Sequence, residues 1–137
     1  MFGLSAKAVY GLEAMVELAR RPTDTQVQIR ELAETRGIPQ HYLEQIMVQL
    51  RRAGLVSSTR GAQGAYRLVR DPSLIRTEQI LQVLEGPLEV VGTEASRGSL
   101  SFLWNELGQA IRSYLRLSVA DLLDREDQAR QALNYSI

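Results

Sequence analysis

The chain has 137 residues, of which 45% are hydrophobic and 23% are charged, a composition typical of one ordinary globular domain or a domain with a short extension. It contains no cysteine and a single histidine, His41. That excludes a disulfide scaffold, a thiolate zinc site, a cysteine-ligated iron–sulfur cluster and a multi-histidine metal site. No apolar run approaches the roughly 20 residues that cross a bilayer, and no signal peptide is visible, so we expect a soluble, intracellular protein.

The charges are unevenly distributed along the chain, although 16 basic and 16 acidic residues give a net charge of zero. Residues 1–70 carry ten basic and six acidic side chains, and residues 71–137 carry six basic and ten acidic ones. Between Gln45 and Arg70 there are five arginines and no acidic residue. This asymmetry favours a polyanionic partner for the N-terminal half, the alternative being a solvated basic face without a partner.

The first seventy residues predict a helix-turn-helix followed by a hairpin. A first helix is predicted from the capping residue Ser5 to Pro22, a second over about 28–35 and a third from about Pro39 to 52. The second and third are short helices joined by a turn that contains Gly37, which is typical of a helix-turn-helix. Strands are predicted over 55–59 and 65–69, with the turn Gly61-Ala62-Gln63-Gly64 between them. This order of elements is that of a winged helix.

The second half of the chain is predicted to be helical except for one loop. Thr77 is predicted to cap a helix that ends at Gly86-Pro87, and residues 88–99 have no helical period. A long amphipathic helix begins near Leu100, and Ser118 with Asp121 predicts the start of a last helix.

The predicted fold class is therefore mostly α with a small β-hairpin wing. We predict a winged helix-turn-helix domain over 1–87, a loop over 88–99, and a dimerisation helix with a C-terminal helix over 100–137.

Several stretches resemble a known family in order and spacing. They are Leu4-Ser5-Ala6-Lys7 followed by Tyr10, Tyr42-Leu43-Glu44-Gln45-Ile46, Leu50 to Val56, Ser58 to Tyr66, and Ile80 to Pro87. Over most of residues 1–87 the chain resembles the winged-helix bacterial transcription regulators that include IscR, NsrR and CymR. The resemblance implies DNA binding by the winged domain and a long dimerisation helix in the remainder.

One departure from the family pattern affects the expected cofactor. Cluster-binding members carry three cysteines between the Gly-Pro helix end and the long helix, whereas residues 88–99 here contain none. The chain thus resembles the cluster-free branch of the family. We expect no cofactor and no metal ion.

The third helix supplies most of the candidate DNA-binding residues. If its apolar side chains face the core, its polar ones point outward, where glutamine can pair with adenine and glutamate with cytosine. Arg60 and the turn glycines suit a wing tip that approaches a minor groove or a phosphate. The alternative is that these are solvated polar residues, and Tyr42 could equally pack against the protein. The predicted DNA-binding residues are Lys7, Gln40, His41, Tyr42, Glu44, Gln45, Gln49, Arg51, Arg60, Gly61, Gly64 and Tyr66.

The long helix supplies the candidate dimer contacts, because a small winged domain cannot cover so much apolar surface. The alternative is that this helix folds back on its own domain. The predicted dimerisation residues are Leu103, Trp104, Leu107, Ile111, Tyr114 and Leu115.

The leading interpretation is a homodimeric, sequence-specific regulator of transcription, by preference a repressor, that binds double-stranded operator DNA in the cytoplasm at the nucleoid. A regulatory protein or small-molecule effector is an open partner, and a membrane is not expected. No acid–base pair, nucleophile with its base, or metal constellation can be assembled, so an enzyme is not predicted. The alternatives are a protein-interaction adaptor and a winged-helix RNA-binding module.

Overall fold

The computed structural model describes residues 3–59 and 64–135. Within these ranges the fold is mostly helical with one small sheet, as predicted. Its elements are α1 (Ala6–Arg20), β1 (Val27–Gln28), α2 (Ile29–Arg36), α3 (Gln40–Arg52), β2 (Val56–Ser58), β3 (Ala65–Leu68), α4 (Thr77–Glu85), α5 (Ser101–Tyr114) and α6 (Val119–Tyr135). Short 3-10 turns at Pro72–Leu74 and Ala95–Arg97 precede α4 and α5. No helix in the described part of the chain is long and apolar enough to cross a membrane.

Helices α2 and α3 form the helix-turn-helix. Gly37 ends α2 in the left-handed conformation, with φ of 65°, which glycine adopts without the steric cost of a Cβ. Pro39 is the residue before the first turn of α3, and its carbonyl accepts the Leu43 N–H at 3.0 Å. The apolar face of α3 is completely buried, so its opposite face is fixed toward solvent; the buried residues are Leu43, Ile46, Met47 and Leu50.

The wing belongs to a three-stranded antiparallel sheet with the strand order β1-β3-β2. Val56 pairs with Leu68 in the predicted hairpin, and Val27 pairs with Tyr66 on the other edge of β3. The β1 strand was not predicted, because two residues are too few to show an alternating pattern. It ties the start of α2 directly to the wing.

At two helix starts the side chain predicted to cap the helix bonds to a distant partner instead. Ser5 occupies the N-cap position of α1, as predicted, but its side chain makes no capping bond, because its hydroxyl donates to Glu85 Oε1; its N–H donates to the same oxygen at 2.9 Å. Thr77 is the first residue of α4, and its hydroxyl donates to the Leu117 carbonyl at 2.8 Å. The predicted start at Ser118 is confirmed by reciprocal bonds with Asp121 of 2.9 and 3.0 Å.

The side chain of Arg36, at the end of α2, joins three helices in what we call the Arg36 cluster. It is only 6% exposed and meets Glu13 and Glu17 of α1 at 2.6 and 2.9 Å, and Glu126 of α6 at 2.7 Å. Glu126 also accepts from Arg20 at 2.5 Å. These hydrogen bonds, chiefly that from Arg36, lower the pKa of Glu126 from its ordinary 4.5 to about 2. The cluster therefore holds α6 against the helix-turn-helix.

Replacing Glu126 with glutamine should destabilise the chain by about 1–3 kcal/mol at pH 7, because a nearly buried guanidinium loses a charged partner. A carboxylate with a lowered pKa stabilises the fold above its unfolded pKa, and this contribution is lost as the pH falls toward the folded pKa of about 2. The difference between wild type and Glu126→Gln should therefore be smaller at pH 3 than at pH 7. Urea unfolding at both pH values measures it.

Asp124→Asn is the matched control, since Asp124 lies on the same helix with its side chain exposed. It should change the free energy of unfolding by no more than about 0.5 kcal/mol. Equal stability of Glu126→Gln and wild type at pH 7 would contradict the role given to the cluster.

Candidate nucleic-acid interface

The outer face of α3 carries the polar side chains that the sequence assigned to it. Gln40, His41 and Gln45 are exposed, while Glu44 and Gln49 are half-buried. Their direction follows from the buried apolar face of the same helix, because side chains three or four residues apart share a face. The first turn of α3 contains no acidic residue, and its free backbone N–H groups favour an anion there.

Glu44 is partly engaged by its own helix. Its side chain is 18% exposed, and its Oε1 accepts from Gln40 Nε2 at 3.4 Å. His41 Nδ1 lies 4.0 Å from Glu44 Oε2, and His41 Nε2 lies 3.5 Å from Gln45 Nε2. These four side chains form a connected polar array at the start of α3.

A groove between the start of α1 and α3, here called the α1–α3 groove, brings together predicted residues from both helices. It has a volume of about 270 Å³ and is lined by Lys7, Tyr42, Gln45, Ile46, Val48, Gln49 and Arg52. Within the described ranges, the buried Oε1 of Gln49 has no hydrogen-bond partner. Arg52 was not among the predicted site residues, although the acid-free arginine run that contains it was the signal for it.

The ring of Tyr42 packs edge-on against that of Tyr10, with centroids 5.7 Å apart and planes at 83°. An aromatic pair in this arrangement is favourable beyond its buried area. Tyr42 therefore packs within the protein and also lines the α1–α3 groove.

A second groove, here called the wing groove, lies between the starts of α2 and α3 and the wing. Its volume is about 590 Å³, and its described lining is Gln28, Ile29, Arg30, Gln40, Thr59, Gly64 and Ala65. Only Gln40 and Gly64 of this set were predicted as site residues. The others were missed because the contact of α2 with the wing depends on the unpredicted strand β1.

Tyr66 cannot contact DNA through its side chain, contrary to the sequence prediction. It is 0% exposed and belongs to the hydrophobic core. Burial raises the pKa of Tyr66, while its hydrogen bond with Ser58 and the nearby charge of Arg51 act in the opposite direction. Alternation along β3 turns Tyr66 inward and Arg67 outward. The predicted wing residues Arg60 and Gly61 lie outside the described residues.

The predicted dimerisation helix presents an uncovered apolar face. Leu103 and Leu107 are each 41% exposed and Tyr114 is 63% exposed, while Trp104, Ile111 and Leu115 are half-buried. Ile111 and Leu115 line a cavity of about 320 Å³ together with Leu81 and Leu88. The helix thus turns one part of its apolar surface toward its own domain and leaves the rest open.

A helix-turn-helix with a hairpin behind its second helix and a polar outer face is the architecture of winged-helix DNA-binding proteins. Residues 4–125 match the Rrf2 family, described as iron-dependent transcriptional regulators. The chain belongs to this family, whose members regulate transcription and are not enzymes.

Individual relatives agree with this assignment over nearly the whole chain. The HTH-type transcriptional regulator CymR of Bacillus subtilis is 35% identical over 136 residues, which cover 98% of this chain and 99% of the relative. The solved structure of CymR, the global cysteine regulator of B. subtilis, gives a TM-score of 0.80 over 91% of this chain and 98% of that one. The structure of T. potens IscR is 36% identical and gives a TM-score of 0.74, covering 93% of this chain and 90% of that one.

The buried position of Tyr66 leads to a prediction that separates a core residue from a DNA contact. Tyr66→Ala should cost about 3–5 kcal/mol of stability, as large-to-small changes of core aromatics do, whereas Tyr66→Phe should cost about 1 kcal/mol for one hydrogen bond. Tyr66→Phe should leave both DNA affinity and its salt dependence unchanged. Urea unfolding and DNA titration at several salt concentrations measure the two effects, and a lower DNA affinity of Tyr66→Phe would restore the phenol as a DNA contact.

Proposed function

We propose that this regulator is a homodimer that binds a specific double-stranded operator and represses transcription from it, without an iron–sulfur cluster. The observation that carries the proposal is the α1–α3 groove, where Lys7 and Arg52 line the same space as Gln45 and Gln49 of α3. Basic groups that neutralise phosphates supply affinity, and amide side chains that reach base edges supply specificity. Both kinds of group line this one groove between α1 and the proposed recognition helix.

The proposed division of labour follows from residue chemistry and position. Gln40, Gln45 and Glu44 read bases from the first half of α3, because a recognition helix contacts base edges with its N-terminal residues. Lys7 and Arg51 bind the backbone, joined by His41 and Gln49. Arg60, Gly61 and Gly64 form the wing contact. This assignment is supported by the exposure of the α3 face and by the acid-free run of arginines.

Duplex DNA is favoured over the other two partner classes. The major groove of A-form RNA is too deep and narrow for a helix, whereas that of B-DNA admits one. A protein-interaction adaptor has no need of five arginines without an intervening carboxylate between residues 45 and 70. We therefore propose that the protein acts at the nucleoid in the cytoplasm.

The geometry of a two-fold dimer accounts for both the proposed dimerisation and the proposed repression. A two-fold dimer reads two half-sites about 34 Å apart. Bound across a promoter, such a dimer would exclude polymerase, so repression is the proposed outcome. In the proposed dimer the open apolar face of α5 is covered by a second copy of the chain. The division into a winged domain over 1–87, a loop over 88–99 and a pairing region over 100–137 is part of this proposal.

The segment 88–99 is the proposed point of regulation by a small molecule or a second protein. Thiolate ligation of iron is excluded there, because the chain has no cysteine. Leu88, Glu89 and Val90 form one wall of the 320 Å³ cavity that α4 and α5 also line. A ligand at this junction would alter the angle between the winged domain and the pairing helix. It would act only through its difference in affinity for the two arrangements.

Selection from a randomised pool of duplexes should enrich one sequence class, and two substitutions should then act differently on it. Gln45→Ala should lose about 1–3 kcal/mol of preference at particular base pairs, while Lys7→Gln should weaken all duplexes alike and lower the salt slope by about 1 per subunit. Competition binding against single-position variants of the selected site measures both.

Gln128→Ala, an exposed glutamine on α6, is the matched control and should behave as wild type. Failure of the wild-type chain to enrich any duplex would overturn the proposed function. Uniform weakening by Gln45→Ala would instead show that α3 does not read bases.

A charged substitution on α5 tests whether two copies of the chain associate through this helix. Leu107→Glu should place a charge in the apolar contact of α5 and cost several kcal/mol of association free energy. Light scattering should then report a monomer at micromolar concentration, and DNA affinity should fall with dimerisation because one half-site is lost. Gln109→Glu, exposed on the same helix, is the control and should remain a dimer. A monomeric wild-type chain would refute the arrangement.

A further inference from the structure

The walls of the wing groove are fixed by backbone hydrogen bonds between segments that are distant in sequence. Gln28 pairs with Ala65 across β1 and β3, and the Ile29 N–H donates to the Gly64 carbonyl at 3.4 Å. The first residues of α2 are therefore fixed against the base of the wing. Gln40, the first residue of the proposed recognition helix, lies in the same groove.

The position of the wing groove determines which part of a bound duplex would lie in it. The major and minor grooves of a duplex are separated by one sugar–phosphate backbone. A protein with a helix in the major groove and a hairpin in the adjacent minor groove must therefore straddle that backbone. In this chain the space between helix and hairpin is the wing groove.

The chemistry of the groove suits a phosphate. Arg30 is the one basic residue among the described residues that line it, and no acidic residue is among them. Gln28, Gln40 and Thr59 are exposed and bring amide and hydroxyl donors. Guanidinium, amide and hydroxyl groups are the side-chain donors that bind phosphate oxygens in protein–DNA complexes.

The guanidinium of Arg30 can exchange its present partner, Glu34, for another anion. Its Nε lies 3.3 Å from Glu34 Oε1 one turn along α2, and the two side chains are 78% and 70% exposed. Such an exposed pair contributes little free energy and is screened by solvent. A DNA phosphate can therefore replace Glu34 as the partner of Arg30 at small cost, and Glu34 competes for the same guanidinium.

We propose that Arg30, assisted by Gln28 and Thr59, binds the phosphate backbone that passes between the recognition helix and the wing. This role rests on the proposed function. It makes Arg30 a positioning residue that sets how the duplex is seated and carries no base preference of its own.

The test is a titration of the full-length chain with its selected duplex and with an unrelated duplex, each over a series of salt concentrations. Arg30→Gln should weaken both duplexes by the same factor, about a hundredfold or more for a dimer that loses two charge-assisted contacts. The slope of log K against log salt should become shallower by about 1 per subunit.

Two further substitutions test whether the effect is specific to Arg30 in the wing groove. Glu34→Gln removes the competitor and should raise affinity two- to threefold in the wild-type background, in line with a weak exposed pair. In the Arg30→Gln background the same change should have little effect. Arg97→Gln removes an equal charge from the turn before α5, outside the groove, and should leave affinity and slope unchanged.

The possible results distinguish a failure of the role proposed for Arg30 from a failure of the proposed function. Binding by wild type with no change in affinity or slope for Arg30→Gln would overturn the inference and leave the proposed function standing. An equal gain from Glu34→Gln in both backgrounds would also overturn it, because the gain would then reflect net charge alone. Absence of binding by the wild-type chain would overturn the proposed function itself.

Discussion

The nearly buried guanidinium of Arg36 is the interaction on which the arrangement of this protein depends. With 6% of its side chain exposed, it requires charged partners, since an uncompensated buried charge is strongly destabilising. The partners come from α1, through Glu13 and Glu17, and from α6, through Glu126. Helices α1, α2 and α6 are thereby fixed around one side chain, although Glu126 is 90 residues from Arg36 in sequence.

Backbone hydrogen bonds near the start of α4 help to determine where α5 can lie. The Val119 N–H donates to the Ile75 carbonyl at 2.8 Å, and the Thr77 N–H donates to the Leu117 carbonyl at 2.8 Å. These bonds hold the α5–α6 connection against the start of α4, while the Arg36 cluster holds the body of α6 against α1. The end of α5 is therefore anchored to the winged domain. In the proposed dimer, this anchoring would set the distance between the two recognition helices.

The proposed DNA-binding side shows a division between rigid and adaptable groups. The apolar residues of α3 are fully buried, so the axis of the helix is fixed, whereas Gln40, His41 and Gln45 are exposed and joined only by long polar contacts. In the proposed complex, side-chain contacts as long as 3.4–3.5 Å are easily exchanged for base edges. In the proposed complex the fold thus supplies orientation, and the weakly held side chains supply recognition.

Features fixed by neighbours in the chain were predictable from the sequence. The apolar period of α3, the stop at Gly37, the hairpin strands and the Ser118–Asp121 start of α6 depend on residues no more than 12 positions apart. The family motifs extended this to the winged-helix class, and the absence of cysteine excluded a thiolate-bound cluster. The acid-free arginine run indicated the binding face.

Tertiary structure alone decided the features that join distant residues. Strand β1 forms because Val27 meets Tyr66, and that pairing places Arg30 beside the wing. The burial of Tyr66 likewise depends on a distant strand. The Ser5 and Thr77 side chains bond to Glu85 and Leu117 instead of capping their helices. These partners are 39 to 80 residues away in sequence. A local pattern records what a residue can do within its own helix or strand. Only packing determines which of several competing partners that residue reaches.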